Sequence, residues 1–304
     1  MEPTTPPLSP GVRYAMVVPL TLGAAYAALL LTLASSHTEA LFAWTMSPVS
    51  ATLVGAGYAG SCAMLWLCAV RAKAWTHARV TVLSSSLFML LMLAAIVLDH
   101  RTLHLEGGDL FAVLAAFGWF GVHLVAPLIG TVGLGVQLVG NRRLAARYGR
   151  AERPEPLPWW IALPTFSSGA FLTAVGALLF AAPAWPARHW PWAAGRLDVR
   201  VLAAFALVFG LAMLGTVAER ELHRVRHGML ALVVTGVLGL VGLVRYADQV
   251  RWASAGAWGV VAVLMLFLGM GLAGLGLSAI LPEALPQSAR SRAPGASAGA
   301  GNPA

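Results

Sequence analysis

The sequence predicts an all-α fold: a polytopic transmembrane bundle of eight helices, built as two parallel four-helix repeats. Three observations predict it. Hydrophobic residues make up 59% of the chain and charged residues 11%, with a mean hydropathy of +0.76, where soluble domains carry roughly 45–50% apolar and about 25% charged residues. Charge-free apolar stretches recur eight times, each close to the ~20 residues that cross roughly 30 Å of hydrocarbon. The second half of the chain also echoes the first. This composition excludes a soluble enzyme, a disordered chain and a nucleic-acid-binding domain, and lipid is the expected surrounding.

The eight apolar stretches are residues 14–36, 48–70, 80–98, 110–140, 159–182, 201–218, 228–244 and 254–282. The sixth and seventh are short, and Arg200 and Arg245 at their ends are expected to snorkel outward. Around them the chain divides into a disordered N-terminal head (1–12), a first membrane repeat (13–140), a basic linker (141–156), a second repeat (157–282) and a disordered tail (283–304). Head and tail are rich in Pro, Ser, Gly and Ala and lack a core-forming pattern. Helix starts are expected at Ser47, Asp109, Asp198 and Ser254, whose side chains suit N-caps.

The loops fix an expected orientation. Arg13, the loops 71–79, 141–155 and 218–227, and the tail hold most of the 20 basic residues. The alternate loops hold only Arg101, Arg188, Arg196, Arg200, Arg245 and Arg251. By the positive-inside rule both termini are cytoplasmic. The formal charge of +8 is thus mainly a topology signal, not the mark of a nucleic-acid partner. Trp44, Trp185, Trp190, Trp192 and Trp252 read as an interfacial belt on the opposite side. Arg-dominated basic residues with abundant Ala, Gly and Pro suggest a bacterial plasma membrane.

Residues 51–99 align with 200–248 without a gap. Ala63-Met64-Leu65 matches Ala212-Met213-Leu214, Arg71 matches Arg220, and Asp99 matches Asp248. Each unit has an even number of spans, so both insert the same way and the repeat is parallel. In transporters of such build the pathway forms between the halves.

Ionisable residues inside hydrocarbon point to function by default. His123 is the one near a span centre, in FGWFGVHLVAPLIG, with Pro127 four residues later unable to donate back to its carbonyl. It is a candidate proton relay, substrate contact or metal ligand, although a b-type haem needs a facing second His that no span supplies. Asp99 and Asp248 are candidates for the mouth of a substrate or proton pathway; alternatively Arg245 neutralises Asp248 on one helix face. A third candidate is metal binding by His37, Glu39, His100 and His104 on the outer loops, since His100 and His104 share a face on a helix and imidazole with carboxylate suits zinc. Cys62 and Cys68 read as buried hydrophobes.

The Gly runs 130–135 and 271–276 let helices approach closely and are not phosphate loops, because no strand precedes them and no Lys-Ser/Thr follows. No catalytic triad, zincin or Walker sequence occurs, and no cofactor follows from the sequence. The expected function is a small-molecule or ion permease, or a permease subunit. The competing readings are a membrane metal-binding or redox enzyme and a non-catalytic partner of other membrane subunits. The topology has a direct test: a single Cys placed at Arg147 should resist a membrane-impermeant maleimide in intact cells and react after permeabilisation. Labelling in intact cells overturns the orientation.

Overall fold

A computed structural model describes residues 6–148, 157–220 and 222–280. Eight helices in it are long and apolar enough to cross a membrane, which marks the chain as a multi-pass integral membrane protein. In order they are Val12–Leu33, Pro48–Arg71, Trp75–Leu98, Leu110–Tyr148, Trp159–Ala181, Arg196–Glu219, Leu222–Arg245 and Ala255–Ile280, called here the first to eighth spans. Hydrocarbon offers the backbone no partner, so the chain satisfies its own N–H and C=O groups as helix wherever it crosses. Short turns sit between spans: helices Thr38–Leu41 and Ala184–His189, and 3₁₀ turns His100–Thr102 and Ala247–Gln249.

Several helices run past their apolar stretch. The third starts at Trp75 and the sixth at Arg196, each five residues early. The fourth runs 39 residues to Tyr148, roughly 58 Å at 1.5 Å per residue, so its basic end projects beyond the hydrocarbon. Residues 141–148 of the expected linker therefore belong to a helix, and its remainder and the tail lie outside the described residues.

The segment expected to be a disordered head makes defined contacts where it is described. Residues 6–8 run beside the second-to-third loop, with Trp75 N donating to Pro6 O at 2.8 Å and Leu8 N to Lys73 O at 3.0 Å. Gln137 of the fourth span clamps the same segment, accepting from Ser9 N at 2.8 Å and donating to Pro7 O at 3.0 Å. Leu8 and Val12 are buried. Two prolines and a pair of apolar side chains hold an extended strap here where composition alone reads as disorder. Arg13 then donates to the carbonyls of Ala69 and Ala72 at the end of the second span, a cation on the negative end of a helix dipole.

Ser47 and Ser254 cap as expected, accepting from Ser50 N at 3.2 Å and Ala257 N at 3.3 Å. Asp198 does not start its helix. Gly195 is the N-cap, and Asp198 stands three residues inside, accepting from Gly195 N at 3.1 Å.

The second, third, sixth and seventh spans form the centre. The second packs on the seventh and the third on the sixth, while the first, fourth, fifth and eighth lie outside against the second, third, sixth and seventh respectively. Van der Waals contact replaces the hydrophobic effect between helices in lipid, so small residues set how closely they approach. A Cβ on Gly210 would lie 2.6 Å from Thr173 N, and one on Gly176 2.6 Å from Leu207 N, so the fifth and sixth spans touch backbone to backbone. Gly236 and Gly271 do the same between the seventh and eighth, with backbone atoms at 2.9 and 2.7 Å. The Gly run of the fourth span differs from expectation: Gly130 and Gly133 meet only side chains beyond 3.5 Å and Gly135 meets nothing within 4 Å.

The contrast yields a prediction. Gly210→Leu should destabilise the protein by at least about 1–3 kcal/mol, the usual range for overpacking, whereas Gly135→Leu should leave the melting temperature in detergent within a few degrees. Equal melting of the two variants contradicts the backbone contact.

Candidate functional site: a central apolar cavity

A cavity of about 800 Å³ occupies the middle of the bundle and takes lining from all eight spans. On the side away from the basic loops it is bounded by Leu30, Phe111 and Leu114; towards the basic loops it reaches Trp160, Met229 and Leu277. Among the described residues no Asp, Glu, Lys or Arg lines it. Several lining hydroxyls are already spent on their own helices: Ser61 donates to Gly57 O at 2.9 Å, Thr165 to Ile161 O at 2.8 Å and Thr216 to Ala212 O at 3.0 Å. Such back-bonding leaves an apolar face.

One wall is aromatic. Tyr58 stands edge-on to Phe88, Phe205 and Trp119, at ring separations of 5.7, 5.2 and 5.6 Å. Trp119 in turn contacts Phe42, Trp44 and His123 at 5.0, 5.6 and 4.6 Å. Gly57 admits Phe205, since a Cβ there would lie 2.9 Å from the ring.

His123 faces this wall and is 2% exposed. Its Nδ1 lies 2.8 Å from the carbonyl of Trp119, one turn back on the same helix. A carbonyl only accepts, so Nδ1 carries the proton and Nε2 of the neutral ring is an acceptor. Nε2 has no partner, and neither do the Tyr58 hydroxyl and Trp119 Nε1. The helix continues through Pro127.

The other expected site residues lie away from the cavity. Asp99 forms a largely buried ion pair with Arg200, at 9% and 12% side-chain exposure, and Arg200 Nε also donates to Phe180 O at 3.2 Å. Arg200 therefore does not snorkel; it joins the ends of the third, fifth and sixth spans. Asp248 is exposed. The Arg245 next to it turns away, donating to Thr32 O at 2.9 Å and lying over the Tyr246 ring. Neither aspartate lines the cavity.

Nor are the outer-loop groups gathered. His37 bonds Ser36 at 3.0 Å, His100 bonds Val97 O at 3.1 Å, and Glu39 is exposed. His104 uses both ring nitrogens, with Phe42 O and Thr45 Oγ1 each at 3.1 Å, which ties two loops together. No group of three or more His, Cys, Asp or Glu placed to hold a metal occurs among the described residues.

Two of the expected belt tryptophans are internal. Trp44 Nε1 donates to the buried Asp198 at 2.9 Å and Trp192 Nε1 to Ser50 Oγ at 3.0 Å, while Trp185 is 70% exposed as a belt residue should be. Sequence reasoning missed Tyr58 and Trp119 as site residues. Trp119 and His123 at i and i+4 carried a readable signal, because that spacing stacks side chains on one helix face. Tyr58 reaches the site from another span and left none. Comparison with protein-family models, with curated proteins and with solved structures returns no match.

The buried ion pair predicts a specific stability pattern. Arg200→Met should destabilise by about 3–5 kcal/mol by stranding Asp99, and Arg200→Met with Asp99→Leu should recover most of that loss. Denaturation in detergent reads both, and a double variant as unstable as the single one contradicts the pairing.

Proposed function

We propose that the protein is a permease, or the membrane subunit of one, for an apolar or weakly polar small molecule that passes between two parallel four-helix halves. The carrying observation is the cavity itself: it takes lining from all eight spans, from Phe111 at one end to Trp160 at the other, and no Asp, Glu, Lys or Arg lines it among the described residues. Such a lining favours an uncharged solute over a sugar or a multiply charged ion, because polar groups pay a desolvation penalty there.

The repeat reading has its own support. Both halves run long helix, short helix, two long helices, 3₁₀ turn, long helix, with an added 3₁₀ turn at Ser35–His37 in the first. The second and sixth spans each have 24 residues, as do the third and seventh. Exchanging the halves maps the second-on-seventh contact onto the sixth-on-third contact, and first-on-second onto fifth-on-sixth. The asymmetry is local: Asp99 precedes its 3₁₀ turn and is paired, whereas Asp248 lies within its own. On this reading both termini are cytoplasmic in a bacterial plasma membrane, and His123 is the polar contact on the pathway. Asp99 and Asp248 flank it at the outer ends of the third and seventh spans.

A plug tests the proposal. Gly118 lines the cavity, and a Cβ there meets nothing within 4 Å, so Gly118→Trp fills the space without clashing at the backbone. Vesicles bearing the wild type, Gly118→Trp or His123→Phe are compared by untargeted mass spectrometry of their contents. The wild type should change the accumulation of at least one uncharged, weakly polar compound several-fold. Both variants should abolish that change while melting within a few degrees of the wild type. No difference between wild type and plugged vesicles overturns the permease reading.

A further inference from the structure

The buried polar atoms without a hydrogen-bond partner are not scattered at random. Three of them, the Tyr58 hydroxyl, Trp119 Nε1 and His123 Nε2, belong to successive rings in contact, with centroids 5.6 and 4.6 Å apart. Tyr58 is 4% and His123 2% exposed, and all three residues are among those lining the cavity. An unpaired buried polar group is costly, and Ser61, Thr165 and Thr216 avoid that cost by bonding to their own helix, although Thr235 does not. The donor inventory is specific. Trp119 Nε1 only donates, His123 Nε2 accepts because Nδ1 holds the proton against the Trp119 carbonyl, and the Tyr58 hydroxyl does either.

A hydroxyl group matches that set. Its hydrogen goes to His123 Nε2, and its oxygen lone pairs take Trp119 Nε1 and Tyr58. A carboxylate does not match, because it has no hydrogen for His123 and finds no Lys or Arg in the lining among the described residues. The rest of the cavity wants hydrocarbon. Its walls also include side chains that face the bilayer: Tyr26 and Phe111 are 63% and 69% exposed on the first and fourth spans, and Trp160 is 48% exposed on the fifth. The space is thus continuous with membrane-facing surfaces on both leaflet levels.

We propose that the cavity binds a neutral, single-headed lipophile, a long-chain or cyclic alcohol or phenol drawn from the bilayer, with its hydroxyl held by Tyr58, Trp119 and His123. The proposal names the substrate class of the permease reading and rests on that reading only for what the binding serves.

The full-length protein in nanodiscs is titrated with farnesol, with farnesene as the hydrocarbon of the same skeleton and with farnesoic acid as the anionic head, and binding is read by native mass spectrometry. Farnesol should bind about tenfold tighter than farnesene, the size of one or two net hydrogen bonds, and the acid weakest. Tyr58→Phe and His123→Phe keep a ring in place, and each should erase most of the preference for farnesol over farnesene. Equal binding of alcohol and hydrocarbon overturns the proposal. So do tighter binding of the acid, an undiminished preference in both variants, or no binding of any of the three. Flux is a separate readout: alcohol-selective binding without transport overturns the permease reading alone, and transport without selectivity overturns this one.

Discussion

A polar atom in hydrocarbon has no water to fall back on, and that constraint arranges this molecule. It turns every crossing into helix. It folds the hydroxyls of Thr21, Ser86 and Thr173 back onto carbonyls one turn earlier, at 2.7, 2.8 and 2.7 Å. It explains why Arg200, on the second turn of an apolar helix, is found against Asp99 and the Phe180 carbonyl. The same rule gives the cavity its meaning. A fold that satisfies so many polar groups internally leaves three buried ones unpaired on rings in contact, and that is where an external partner has something to gain.

At the end away from the basic loops, polar residues tie the first four spans to the last four. Trp44 and Ser50 come from the first half, Asp198 and Trp192 from the second, and their hydrogen bonds cross between them. Asp99 and Arg200 repeat that crossing between the third and sixth spans. Towards the basic loops Arg79 and Glu219 pair between the same two spans. Between these polar clamps the central helices meet through apolar and small side chains, as at Gly57 under the Phe205 ring and at Gly242 beside Thr52. Clamped at both ends, the bundle leaves a cavity in the middle.

The number and order of spans were legible in the sequence because a long charge-free run has few alternatives to a membrane helix. Helix ends were less so. Residues such as Trp75 to Arg79 read as basic loop yet continue the helix, since at the membrane surface a helical backbone and a solvated charge are compatible. The strap at residues 6–8 was invisible because its order comes from Gln137 and from the backbone of Lys73 and Trp75, distant in sequence. His123 stood out as a lone imidazole in an apolar run. Tyr58, Trp44 and Asp198 did not, because their importance lies in partners on other spans. Asp99 and Asp248 looked alike in sequence, and only packing separates a paired carboxylate from an exposed one.

The central claim is that the unpaired atoms of Tyr58, Trp119 and His123 mark a binding site between the two halves. An experimental structure of the protein extracted with its native lipids tests it most directly. The account predicts elongated density in the cavity, with a head within hydrogen-bonding distance of all three side chains and a body along the apolar wall. A collapsed cavity in which those three groups bond to one another or to neighbouring carbonyls would contradict it.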